Sequence, residues 1–264
     1  MPHMFIFGLG YSAKWIKRSL EGVGWTVSAT GREGDLAFGD DDNVRRALAK
    51  ATHVLSSVPP AGESDPVLAR YADALDHDWL GYLSSTGVYG DTAGAWVDES
   101  APVGGGRRTA RAACDADWLA RGARVFRLPG IYSPGRSALD RVRTGKAHRI
   151  DLPGQVFSRV HVEDIARGVN EALDSPPGAY NLADDLPTNQ NAVIEEACRL
   201  LGVEPPPLVS LDDAALFPQA RAFYAENRRV ANGKAKRVLG WRPRFATYHE
   251  GLADCLRRSS PSAR

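Results

Sequence analysis

Gly8-Leu9-Gly10-Tyr11-Ser12-Ala13 sets two glycines and an alanine at GxGxxA spacing, ahead of a segment with helical patterning. Small residues in that pattern suit one piece of chemistry, the holding of a pyrophosphate by backbone N–H groups. Gly8 permits a tight turn, Gly10 lets the backbone approach the phosphates, and Ala13 keeps the helix close to its sheet. The anion then rests at the helix N-terminus, against free N–H groups and the positive end of the dipole. Tyr11 and Ser12 complete the expected contacts of the turn.

Thr30-Gly31-Arg32 closes the second apolar segment, where a dinucleotide would place its adenosine ribose. A carboxylate there accepts from a 2′-hydroxyl, whereas a 2′-phosphate calls for a cation. Arg32 offers a planar donor fork and Thr30 a hydroxyl, which favours NADP over NAD. Glu33 and Asp35 follow closely and would serve NAD if the turn were longer. Cys114, Cys198 and Cys255 lie far apart without ligand spacing, so neither a metal site nor a disulfide is expected.

The elements that must position these residues are legible as hydrophobic runs. Met4–Phe7 reads as a strand buried on both faces, Lys14–Glu21 as a helix stopped by Gly22 and Gly24, and Trp25–Thr30 as a second strand. The alternation continues with a helix at Val44–Ala49, a strand at His53–Val58 and a helix at Pro66–His77. A strand at Trp79–Ser85, a helix through Asp115–Ala120 and a strand at Arg124–Leu128 follow. Repeated βα units imply an α/β fold, a Rossmann-type doubly wound parallel sheet with ligands at the strand C-terminal ends. Ser57 and Pro129, at the ends of two such strands, join the expected cofactor contacts.

The chain has 264 residues, 43% hydrophobic and 25% charged, enough for one large domain or two unequal ones around a packed core. Its Lys and Arg number 33 against 32 Asp and Glu, so no overall field draws it to nucleic acid or to an anionic membrane. No apolar run is long enough to span a bilayer, and Met4–Gly10 is too short for a signal peptide. A cytoplasmic protein with a small-molecule substrate is the expectation.

Further stretches add to the glycine turn: Leu83-Ser84-Ser85-Thr86-Gly87-Val88-Tyr89-Gly90, Arg127-Leu128-Pro129-Gly130-Ile131-Tyr132-Ser133-Pro134-Gly135-Arg136, and Arg159-Val160-His161-Val162-Glu163-Asp164-Ile165-Ala166. Tyr180-Asn181-Leu182-Ala183-Asp184-Asp185 and Leu239-Gly240-Trp241-Arg242-Pro243 continue the series. With these the sequence resembles the NAD-dependent epimerase/dehydratase family, the extended branch of the short-chain dehydrogenase/reductase superfamily. The resemblance implies an NADP-binding Rossmann domain over residues 1–132 and 156–175. A smaller substrate-binding region over 133–155 and 176–264 would complete it. A homodimer through sheet-flanking helices fits the family, although no exposed apolar stripe argues for one.

The resemblance also assigns roles. Ser85 and Thr86 match the hydroxyls that hydrogen-bond the reacting oxygen. The family's Tyr moves the proton, and a Lys four residues later lowers its pKa, since a phenol near 10 needs a cation to act at neutrality. Here the helix register puts Arg107 in the Tyr slot and Arg111 in the Lys slot, and no YxxxK occurs. Arginine only donates, so Arg107 cannot relay a proton. Arg111 can still supply charge to the ribose. The loop Pro102–Arg108 is glycine-rich and dibasic, fit to close over an anionic substrate with Arg107, Arg108 and Arg111. Tyr132 and Tyr89 are the candidates for a replacement phenol, Tyr89 also as a substrate contact beside Arg136. His161 is expected to pack, and Asp98 and Glu99 to form a solvated turn. Two functions follow: an NADP-dependent oxidoreductase or epimerase acting on a small polar, sugar-type substrate, or a non-catalytic dinucleotide sensor.

Overall fold

The apolar run at the N-terminus forms β1 (His3–Phe7), whose residues Met4–Phe7 are wholly buried. Alternation splits them between two cores: Met4 and Ile6 join one apolar cluster, Phe5 and Phe7 another. A strand buried on both faces needs a layer of helices on each side. The computed structural model describes residues 1–214, 216 and 221–259 and supplies those layers. The expected smaller region extends over 215, 217–220 and 260–264, which lie outside the described residues.

On one face lie α1 (Tyr11–Glu21) and α6 (Val162–Glu171), which bury Ala13, Ile16 and Leu20 against Ile165 and Val169. On the other lie α2 (Asp41–Leu48), α3 (Pro66–Tyr71) and α4 (Thr109–Ala120), which contribute Val44, Leu48, Val67, Tyr71, Cys114 and Trp118. Between them run β2 (Thr26–Ala29), β3 (His53–Ser56), β4 (Trp79–Ser85), β6 (Arg124–Leu128) and β10 (Gly178–Asn181). The six-stranded sheet has the order β10-β6-β4-β3-β1-β2, and every neighbouring pair in it is parallel. β2 and β3 flank β1 on opposite sides, so the winding reverses there and opens a crevice at their C-terminal ends.

The sheet reaches further than the sequence suggested. Ala179–Asn181 pair with Val125–Arg127, so β10 belongs to the central sheet although it lies past residue 175. The short helix α8 (Gly233–Val238) covers it, and Ala235, Leu239 and Trp241 join the core shared with α1 and α6. Burial of Tyr180 and Leu182 drives this edge inward.

Minor strands occur as parallel pairs: β5 (Trp96–Val97) with β12 (Arg229–Val230), β7 (Gly130–Tyr132) with β9 (Arg159–His161), and β8 (Arg149–Ile150) with β11 (Leu208–Val209). A separate core, with Tyr132, Leu139, Ile194 and Leu252, lies among α5 (Ala138–Arg143), α7 (Gln190–Leu201) and α9 (Tyr248–Ser259). Asp164 ties the parts together: its carboxylate accepts the Arg244 N–H (2.6 Å) and the Phe245 N–H (3.1 Å). The Trp241 indole donates to its carbonyl at 3.0 Å. Among the described residues no helix is long and apolar enough to cross a membrane.

Candidate functional site

The chain leaves β1 through Gly8, whose φ of 81° lies in the left-handed region that favours glycine. A side chain there would meet Val58 Cγ2 at 3.0 Å and Ser57 Oγ at 3.2 Å. The Gly8 N–H donates to Thr30 Oγ1 (3.0 Å), and the Leu9 N–H donates to the Thr30 carbonyl (2.7 Å). Ser57 Oγ donates to the Gly8 carbonyl. The turn is thereby sewn to the ends of β2 and β3. At Gly10 a Cβ would meet nothing within 4 Å. Gly10 caps α1 without a side-chain hydrogen bond, and the first helical turn carries no acid. Among the described residues no side chain competes for the N–H groups, and Ala13 is buried against the sheet. These residues fit a pyrophosphate.

At the ribose end Thr30 is buried under the turn and Arg32 is exposed. Asp35 Oδ2 accepts the Ala29 N–H at 3.0 Å and lies 4.0 Å from Lys17 Nζ. Glu33 pairs with Lys14, whose hydrogen bond and charge hold its carboxyl below the ordinary value. Both acids have partners on α1 or β2, while the Arg32 guanidinium hydrogen-bonds no described residue.

β4 delivers Ser85 and Thr86 to the sheet's C-terminal edge. Ser85 Oγ accepts the Gly87 N–H at 3.1 Å, which leaves its hydroxyl proton free to donate. The Tyr89 hydroxyl turns inward: it donates to Asn181 Oδ1 (2.8 Å) and accepts from Arg127 Nη1 (3.0 Å), and burial pushes its pKa up to about 12. Its hydroxyl is thus taken up by buried polar groups of β6 and β10. Arg127 also grips Asp115 through two contacts of 3.1 and 2.7 Å, and Asp115 accepts from Ser84 Oγ at 2.6 Å.

Tyr132, expected near the nicotinamide, has its phenol against Gly251 of α9, where the missing side chain leaves room for it. Its buried hydroxyl has no hydrogen-bond partner among the described residues, and burial raises its pKa far above the ordinary value. His161 is wholly buried; Nδ1 accepts the Glu163 N–H at 3.3 Å, and burial pulls its pKa down to about 4. Glu99 is no solvated acid, since it accepts the Asn181 N–H at 2.6 Å and burial raises its pKa.

The arginines divide unevenly. Arg111 Nη1 donates to the Tyr82 hydroxyl (2.8 Å) and the Leu83 carbonyl (3.3 Å), which fixes it to β4. Arg107 gives its N–H to Glu226 Oε1 (3.1 Å), and its guanidinium lies 4.6 Å from the Phe223 ring centre. Arg108 crosses Gly87, where a Cβ would meet Arg108 Nε at 3.1 Å and Ser85 Oγ at 3.4 Å. The arginine beside the Ser85 hydroxyl is therefore Arg108, rather than the residues in the Tyr and Lys slots. Arg136 stacks on Tyr11 at 4.6 Å and borders the glycine turn, and Pro129 is half-buried past β6. Sequence reasoning missed Phe223, Glu226 and Arg228; the charged run Glu226–Arg229 was the only signal, and nothing local says which loop it meets.

No family model matches the chain. A conserved protein of unknown function from Silicibacter pomeroyi is 38% identical, with a TM-score of 0.87 over 98% of this chain and 99% of its own. Protein YeeZ of Escherichia coli (strain K12) is 27% identical over 78% of this chain and 86% of its own. A 3-diazoavenalumate denitrifying reductase from a Streptomyces species is 29% identical over 62% of this chain and 58% of its own. The human epimerase family protein SDR39U1, solved with NADPH, shares the fold at 16% identity, with a TM-score of 0.77 over 96% of this chain and 99% of its own. The chain therefore belongs to one family with the Silicibacter pomeroyi protein, a family built on the fold of the NAD-dependent epimerases and dehydratases.

Proposed function

We propose that the chain is an NADP(H)-dependent oxidoreductase that reduces a small polar substrate. The observation that carries this reading is the pairing of an uncapped, acid-free α1 N-terminus with an unengaged Arg32 at the ribose end. The first suits a pyrophosphate and the second a 2′-phosphate. Asp35 and Glu33, the acids that would favour NAD, are held by Ala29 and Lys14. The NADPH in the human structure and the reductase named in Streptomyces support the same choice.

NADPH, when bound, supplies a hydride. Gly8 and Gly10 would hold its phosphates close, Ser57 and the buried Thr30 fix the turn, and Arg32 would receive the 2′-phosphate. Ser85 donates its hydrogen bond to the substrate atom that gains charge, with Thr86 behind it, and passes on a proton drawn from solvent. The Tyr89 and Tyr132 phenols are buried and raised above the ordinary 10, so neither exchanges a proton with the substrate in either direction, and that task falls to Ser85 and solvent. The choice of reduction is supported by the reductase named in Streptomyces.

The same lack of a phenol favours one other reading, a dinucleotide sensor without turnover. NADPH oxidation against a panel of carbonyl substrates, with Ser85→Ala as control, separates the two. Turnover that Ser85→Ala lowers supports the enzyme. Tight NADPH binding with no turnover on any substrate overturns it in favour of the sensor.

A further inference from the structure

Beside Ser85 lies a concentration of positive charge. Arg107, Arg111 and Arg228 surround Arg108, and the acid facing it is Glu226. Glu226 is already held, 3.0 Å from Arg228 Nη1 and 3.5 Å from Arg107 Nε. Arg228 also donates to the Gly90 carbonyl at 2.6 Å, and Arg111 is tied to β4. Arg108 alone in this group has all its donors free: it hydrogen-bonds no described residue. Its place is fixed all the same, by Gly87 on one side and by the Phe223 ring 5.7 Å away. A half-buried cation among cations is an unfavourable arrangement that a bound anion relieves.

We infer that Arg108 receives a carboxylate of the substrate, so that the molecule reduced here carries a carboxylate close to the group that meets Ser85. The word substrate rests on the proposed reductase; the anion site does not. Arg108 Nε and Ser85 Oγ are neighbours over Gly87, 3.1 and 3.4 Å from the position its Cβ would take, and Arg108 Cδ covers that position at 2.5 Å, so a ligand meeting both groups lies on the outer side of the arginine. A carboxylate is planar and presents two oxygens at the spacing of one guanidinium fork. A phosphate dianion calls for several donors, and the neighbouring arginines are partly committed: Arg107 Nε lies 3.5 Å from Glu226, Arg111 Nη1 donates to Tyr82 and Arg228 Nη1 to Gly90.

Calorimetric titration of the NADPH-saturated protein with benzoate, isosteric neutral benzamide and inorganic phosphate tests this. Benzoate is expected to bind, and Arg108→Gln to weaken it by about tenfold or more, as befits a lost charge-assisted hydrogen bond. Arg108→Lys should recover part of the loss, and NADPH affinity should be the same in all variants. Equal binding of benzamide, undiminished benzoate binding in Arg108→Gln, no benzoate binding to the wild type, or a preference for phosphate would each overturn the inference. Should NADPH itself fail to bind, the reductase reading falls, and the same titrations without it still decide the anion site.

Discussion

Gly8 and Gly10 are glycines for different reasons, and the difference can be measured. Gly8 is required by its own backbone and by the close approach of Val58, whereas Gly10 has ordinary backbone angles and open space above it. Gly8→Val should therefore lower stability by about 1–3 kcal/mol, from strain in the left-handed region together with the clash. Gly10→Val should change stability by less than about 1 kcal/mol yet abolish NADPH binding, because its side chain occupies the pyrophosphate's place. Urea denaturation and fluorescence titration read the two effects; NADPH binding unchanged by Gly10→Val would show the phosphates lie elsewhere. Arg32 acts through charge at the surface. Arg32→Ala should weaken NADPH by about 1–3 kcal/mol and leave NADH nearly unchanged, and an equal loss for both would exclude contact with the 2′-phosphate.

α4 is the element on which the substrate side depends, because Arg108 caps it and Arg111 lies in its first turn. Asp115, fully buried on the same helix, clamps it to β6 through Arg127, and Trp118 on its next turn donates to Asp65 at 2.8 Å. Asp115→Ala would leave the Arg127 guanidinium buried without its anion, which should lower stability by about 3–5 kcal/mol in urea denaturation. A loss below about 1 kcal/mol would mean that Tyr89 and the backbone suffice for Arg127. The clamp also shows what the sequence could reveal. The elements were legible, since Trp79–Ser85 and Arg124–Leu128 match their strands and Gly202 ends α7 in the left-handed conformation. The glycine turn was legible because its residues are local. Asp115, Arg127, Tyr89 and Asn181 come from four separate elements, and their pairing arises only when the strands take their order in the sheet. Arg108 was legible only as one of three arginines near the dibasic loop: the family's register pointed to Arg107 and Arg111, while contact with Ser85 is set by Gly87 on another element.

Where the sheet meets the C-terminal helices, two buried titratable groups oppose one another across the whole molecule's pH response. His161, at the end of β9, packs against Phe245 at 4.2 Å and Tyr132 at 5.2 Å, with Glu163, Asp254, Arg244 and Arg258 around it. Asp184, past β10, faces Arg159, Asp185 and Tyr132. Burial pulls the His161 pKa down to about 4 from an unfolded value near 6.5. Between those values the unfolded chain binds more protons there, so His161 makes stability rise with pH. Burial pushes the Asp184 pKa up to about 7 from an unfolded value near 3.9. Between those values the folded chain binds more protons, so Asp184 makes stability fall with pH. From about pH 4 to 6.5 the two slopes, each up to about 1.4 kcal/mol per pH unit, nearly cancel. Single substitutions should expose them. Relative to the wild type, Asp184→Asn should gain stability as pH rises through this window, and His161→Asn should lose it; the double variant should track the wild type. Urea denaturation at intervals from pH 4 to 8 reads all three, and parallel curves for Asp184→Asn and the wild type would mean that Asp184 is ionised in the folded protein throughout, held by Arg159 across the seam.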